Sequence, residues 1–323
     1  MGKILVLWGK RTNFALRNRE IICLTLNFKL MKHQSVGFFK SILCGGMLLA
    51  ASVQCEKMNL SGDDDDANVV LRVLSFEQMP FGAMTRADVT QVCNRLNFVV
   101  FSEDGERLEQ VNQELGEAGF GAGYFNLAEG TYQLAIVAHS SGGNPTVNKR
   151  TANKHESIAF TNAKGYTDTF FFTQRLEVGE EPIDLSVNLK RVVAKVRFVN
   201  EDAIPAKTDS IRFHYTGGSG SIDALTSYGN VHSDQYAWRH KADSPYEIYT
   251  IPWQDNDYLD VTIEAFHGSD RLTSSVVNDI PIRRNCITTC RGQLFNGKVG
   301  KVSFTISVDD NWGTPIDYEI PVH

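Results

Sequence analysis

Cysteines, histidines and a run of four aspartates carry the reactive side chains of this chain, and their spacing limits what they can do. His139, His155, His214, His232, His240 and His267 are dispersed, and no local pair has metal-ligand spacing. Neither HExxH nor paired CxxC motifs occur, and there is no GxSxG elbow to present a nucleophilic serine. Gly217-Gly218-Ser219-Gly220-Ser221 lacks both the P-loop lysine and the GxGxxG spacing, so it reads as a turn and not as a phosphate cradle. Asp63, Asp64, Asp65 and Asp66 are hard oxygen donors, but consecutive residues cannot converge on one ion. They read as a solvated, self-repelling tether. No catalytic residue, metal site or cofactor is expected, and the chain does not read as an enzyme.

The one thiol with a chemical task is Cys55. An apolar run from Ser41 to Val53 follows Lys32 and Lys40 and gives way to polar residues, the layout of a secretory signal. It is too short to stay in a bilayer as a spanning helix. Cys55 follows Leu48-Leu49-Ala50-Ala51-Ser52 where a bacterial lipoprotein signal places its acylated cysteine; Gln54, just before it, is larger than the small residue usual there. Acyl chains on Cys55 would hold the mature protein on a membrane. The alternative is ordinary cleavage near Ala50 or Ala51, which leaves a free thiol. The acidic run just beyond resembles the surface-export signal of Bacteroidetes lipoproteins. Residues 1–30 are basic and apolar, and Met31-Lys32 reads as the true translation start. Four regions follow: a mis-started N-terminus with signal peptide over 1–54, a lipidated acidic tether over 55–67, and two β-sandwiches over 68–190 and 191–323.

Binding chemistry rests on aromatics. Trp238, Trp253 and Trp312 could stack on sugars, although large aromatics more commonly fill a core. From Cys55 onward the chain holds 24 cationic and 37 acidic side chains, a net charge of −13. That balance argues against nucleic acid and against adhesion to anionic lipid through a basic patch. Cys93, Cys286 and Cys290 remain after processing. Four residues of strand put Cys286 and Cys290 about 13 Å apart, too far to bridge if the strand is straight. They read as buried small hydrophobes, with a bridge from Cys93 to either as the alternative.

The elements that must position these residues are strands. Short stretches of Val, Ile, Phe and Tyr are punctuated by Gly, Asn, Asp and Pro, the all-β signature. Strands are expected over 69–76, 96–101, 131–138, 168–173 and 183–189, then over 192–199, 210–216, 246–251, 259–266, 271–277, 301–308 and 316–322. Leu108, Val111 and Leu115 predict a helix over 106–119. Residues 140–163 read as one long polar loop. No βαβ alternation occurs, which favours sandwiches.

Near the C-terminus, Arg284-Asn285, Thr288-Thr289 and Gly292-Gln293-Leu294-Phe295 precede a strand ending Asp309-Asp310-Asn311-Trp312. This RN…T…G.LF element resembles that of the Bacteroidales fimbrial proteins, a fimbrillin-like superfamily. The resemblance implies two tandem transthyretin-like Greek-key β-sandwiches and assembly with other fimbrial subunits. In stalk subunits of that family, a protease cuts after an arginine and removes the first strand, and a neighbour's strand fills the groove. The FimB-type anchor branch keeps its lipid and its first strand. Arg72 and Arg86 are the candidate cleavage sites, Arg86 being the more accessible. The chain ends soon after Trp312 with no obvious spare strand to donate, which favours an anchor or accessory subunit on the outer-membrane surface. The alternatives are a stalk or tip adhesin matured by cleavage, or a glycan-binding surface lipoprotein that meets host or bacterial ligands.

Overall fold

The computed structural model describes residues 67–77, 89–148, 156–296 and 305–309, all within one compact unit that starts at Glu56. Cys55, Arg86, Trp312 and the strand expected over 316–322 lie outside the described residues. The first half contains β1 (Val69–Glu77), a single helical turn α1 (Val89–Val92), β2 (Arg95–Ser102), β3 (Arg107–Glu114), β4 (Ala122–Phe125) and β5 (Gly130–His139). It continues with β6 (Thr146–Asn148), β7 (Ser157–Ala159), β8 (Phe170–Val178) and β9 (Ile183–Arg191). The second half contains β10 (Ala194–Asn200), β11 (Ser210–Thr216), β12 (Ser221–Asp223), β13 (Gln235–His240) and β14 (Tyr246–Thr250). It ends with β15 (Asp257–His267), β16 (Asp270–Ile282), β17 (Ile287–Gly292) and β18 (Thr305–Asp309). The chain is all-β, as its composition predicts.

In the first half, seven strands run in the order β3-β2-β5-β8-β9-β1-β4. The β8–β9 junction is narrow, only Phe170↔Arg191 and Phe171↔Lys190. Around that seam the strands enclose a core: Leu96, Phe98, Leu134 and Ile136 from one side meet Val69, Leu71, Val187 and Leu189 from the other. The chain's first strand is therefore interior to its sheet. It runs parallel to β9 and antiparallel to β4, with a bulge that turns Leu74 to solvent.

The second half is a sandwich of β14-β10-β17-β18 against β13-β11-β15-β16. Inward residues alternate as expected: Ile211, Phe213 and Tyr215 of β11 are buried, and Arg212 and His214 are not. The Phe213 ring sits 5.1 Å from Phe198 and 5.4 Å from Tyr246, at the centre of this core.

A third sheet, β12-β7-β6, joins the halves, because β12 comes from the second and β6 and β7 from the first. It helps bury the back face of β2 and β5. Val99, Phe101, Ala135 and Val137 pack there with Ile158, Phe160, Ile222 and Ile251.

Several local expectations are corrected. Residues 106–119 form β3 and a turn, not a helix: β3 pairs with β2 from Arg95↔Glu114 to Phe101↔Arg107. A helix there would have left Leu108 and Leu115 without a core, and both are exposed in the strand as well. The buried Gln113 amide decides the outcome. It donates to the carbonyls of Ala122 and Gly119 and accepts from Gly121 N–H, which fixes the turn after β3. Residues 140–163 carry β6 and β7, strands of three residues each and too short to show a period. The last described strand is Thr305–Asp309, and β4, β12 and β13 went unpredicted. Cys93, Cys286 and Cys290 are buried free thiols, so neither alternative bridge forms. Burial pushes the Cys93 and Cys290 thiols up to about 12, leaving them inert at neutral pH.

Candidate functional site

Arg191, the last residue of β9, is the hub between the halves. Its side chain is 6% exposed, with Nε 2.7 Å and Nη2 2.9 Å from the two carboxylate oxygens of Asp168, a bidentate pair. Nη1 donates to Asn285 Oδ1 at 2.8 Å, and the guanidinium lies 4.7 Å from the Phe170 ring centre. Each partner is positioned by a different element, and Asn285 belongs to the C-terminal motif.

The motif itself is framework. Asn285 adopts φ 55°, a left-handed conformation that asparagine tolerates better than most residues. Its N–H donates to Val193 O at 2.9 Å, and Cys286 O accepts from Lys195 N–H, so the turn is stitched to the start of β10. Arg284 lies 3.5 Å over the Tyr228 ring and donates to Ser227 Oγ at 3.0 Å. Thr288 Oγ1 donates to Pro281 O at 2.6 Å. At the far end, Asp202 accepts the N–H groups of Leu294 at 3.2 Å and Phe295 at 2.9 Å, holding both side chains in the core. Sequence reasoning found these residues by resemblance and missed Asp202 and Arg191, which complete the motif from afar.

Of the possible cleavage sites, Arg72 lies within β1 between Ala122 and Ser186, and its guanidinium makes an exposed pair with Asp184 at 3.3 Å. The carboxylate beside it raises the Arg72 pKa further above its ordinary value. Trp238 lies on β13 and Trp253 in the loop after β14. Trp238 is 48% exposed on β13, in line with the 40% exposed Tyr236 two residues away. The Arg212 guanidinium lies between Trp238 at 5.7 Å and Phe266 at 5.3 Å. Beneath it, Glu264 is 3% exposed and takes Arg212 Nη2 at 2.6 Å and Arg271 Nη1 at 3.0 Å. Burial alone would raise the Glu264 pKa, but the guanidiniums of Arg271 and Arg212 outweigh it and hold the carboxyl below its ordinary value. Trp253 is stacked on His232 at 4.0 Å between ring centres, so one face of its ring is already covered.

His139 is buried and kept neutral. Nδ1 accepts Ser141 N–H at 3.1 Å, and Nε2 lies 2.8 Å from Asn97 Oδ1, which requires the tautomer with the proton on Nε2. Burial, with Arg95 and Lys164 nearby, lowers its pKa to about 3. Lys195 is also buried. Desolvation lowers its pKa, and the opposing Glu247 carboxylate, 3.3 Å away, does not fully offset it. Among the described residues no group of three or more His, Cys, Asp or Glu side chains could hold a metal ion. No described helix is long and apolar enough to cross a membrane.

Several solved structures are similar to this chain. A DUF1812 protein from Bacteroides thetaiotaomicron, described as a candidate polysaccharide-binding protein, is 12% identical with TM-score 0.47, covering 78% of this chain and 98% of its own. A fimbrial assembly protein from Parabacteroides distasonis is 15% identical with TM-score 0.37, covering 75% and 94%. The fimbrial anchor protein Mfa2 from Porphyromonas gingivalis is 11% identical with TM-score 0.38, covering 75% and 96%. Likeness at this level does not carry function from those proteins to this chain. No curated protein sequence matches it. A family model described as a family of unknown function, DUF6562, matches residues 127–321, from the loop before β5 to beyond β18. That span takes in β5 to β18 and the whole C-terminal motif, and the chain belongs to the DUF6562 family.

Proposed function

We propose that this chain is a fimbria-associated surface lipoprotein of the outer membrane, an anchor or accessory subunit held by lipid on Cys55. It assembles with other fimbrial subunits by β-strand complementation. The observation that carries this reading is the position of β1. The first strand lies between β9 and β4, with Val69, Leu71 and Phe76 at most 1% exposed. A subunit that keeps this strand is closed and remains joined to the tether before it. Loss of β1 would leave β9 and β4 with unpaired backbone groups beside an apolar slot, the condition a donated strand satisfies. Cleavage after Arg86 would remove the whole of β1 and convert one state into the other, and cleavage after Arg72, inside the strand, would remove only its first four residues.

Intact-mass and terminal-peptide analysis of protein taken from the native outer membrane tests this. An acylated Cys55 at the mature N-terminus is expected. A start just after Arg72 or Arg86 would instead make the chain a stalk or tip subunit. Cys55→Ala should shift the protein from the membrane fraction to the medium, and unchanged retention would count against the lipid anchor.

A second reading rests on the outer face of β13. Tyr236 and Trp238 are exposed side by side with Arg212 behind them, a platform on which a sugar ring could stack. Loss of glycan binding in a folded Trp238→Ala variant would support it. A glycan array without hits for the unmodified protein would remove it.

A further inference from the structure

Between the two halves lies a cleft of about 560 Å³ that no sequence motif indicated. This volume lies within the range of small-ligand sites. The chain from Cys55 onward is strongly acidic, yet the cleft wall carries Lys190, Arg191, Arg283 and Arg284; Asp168 pairs with Arg191 and Asp255 lies 3.7 Å from Arg284, which leaves the recess net cationic. Such a concentration of one sign of charge in a recess focuses the field there and draws anions.

Two of these cations are held in place before any ligand arrives. Asp168 and Asn285 fix Arg191, and Arg284 lies flat on Tyr228 with a bond to Ser227. A ligand meeting fixed groups loses less affinity to ordering them. The rest of the lining gives the occupant more definition. Asn188 and Asn285 supply amides, Thr173 and Ser227 supply hydroxyls, and Phe172 adds an apolar wall. A compact inorganic anion would leave the apolar wall unused, and an apolar ligand would strand the cations. A sugar bearing a carboxylate uses all of them. We infer that the cleft is a binding site for an acidic saccharide, a uronate-bearing mono- or disaccharide. Its carboxylate faces the lysine and arginines and its hydroxyls face the amides. The site differs from the aromatic face of β13 and is independent of fimbrial assembly.

The test titrates the full chain with digalacturonate, with the neutral disaccharide of galactose, and with inorganic phosphate, following binding by calorimetry. Digalacturonate is expected to bind, to weaken as salt rises, and to bind more tightly than either comparator. Lys190 is exposed, and Lys190→Glu should lower the affinity by about tenfold or more, the scale of one lost close ion pair. Lys190→Gln gives a smaller loss in the same direction and serves if the first variant does not fold. Lys207→Ala, which removes an exposed cation outside the cleft lining, should change nothing. Absence of digalacturonate binding overturns the proposal. So does equal affinity for the neutral sugar or for phosphate, or unchanged affinity in a folded Lys190 variant.

Discussion

The two halves bury their sheets in different ways, and the contrast can be read along single strands. In the first half, β2 (Arg-Leu-Asn-Phe-Val-Val-Phe-Ser) is buried at every interior position. In the second, β11 (Ser-Ile-Arg-Phe-His-Tyr-Thr) alternates without a break. The first pattern belongs to a strand covered on both faces, the second to a strand with one wet face. The cover over β2 is the third sheet, built from short strands of both halves. No equivalent sheet is described over the outer face of β11, and that open face carries Trp238, Tyr236 and the arginine pair on Glu264. Coverage therefore separates the part of the fold that joins the halves from the part free to meet a partner.

Paired truncations test the contrast most strongly. Phe213→Ala in the second core and Phe101→Ala on the back face of β2 should each cost about 3–5 kcal/mol by denaturant unfolding. Were Phe101 an ordinary outer-face residue, its loss would cost little, and that result would break the comparison. Arg191→Ala should cost about 3 kcal/mol or more by stranding Asp168 and Asn285 at the junction. It should also separate one unfolding transition into two, and a single unshifted transition would show that the halves do not depend on this residue.

Acid provides a finer distinction. The folded His139 pKa lies near 3, below its ordinary value of 6.5, so the unfolded chain takes up a proton that the folded chain refuses between these pH values. Stability should therefore fall as pH drops through that window, by at most about 1.4 kcal/mol per pH unit from this residue. His139→Gln should flatten the slope, measured as unfolding midpoint against pH. Asp202→Ala removes the acceptor for two backbone N–H groups and should cost about 1–2 kcal/mol. Trp238→Ala on the open face should stay within about 0.5 kcal/mol, which leaves it a clean probe of glycan binding.

Much of the fold was legible because long strands write their burial into a period of two. The strands at β9 and β11 stood out for this reason, and β1, β2, β5 and β15 by their runs of Val, Ile, Leu and Phe. What failed was short or polar. Leu108, Val111 and Leu115 matched a helix, and the hairpin pairing with β2 and the Gln113 amide contacts decided otherwise. The members of β6, β7 and β12 have three residues each, less than two periods. The site was less legible still. Arg191 reads as a strand end beside a lysine, and Asp168 and Asn285 meet it from 23 and 94 positions away. The C-terminal motif was visible as a pattern, but Asp202, which completes it, lies 92 residues before Leu294.

The place of β1 also bears on the order in which the protein folds. Ser75 and Asn188 share a hydrogen bond across 113 positions, so β1 pairs on one side with a strand made much later. Closing so large a loop is slow relative to zipping the antiparallel neighbours β2, β3 and β5. The β1–β9 ladder therefore forms late, whereas the β1–β4 ladder closes a smaller loop. Of the two sides of β1, the one against β9 is the later to close.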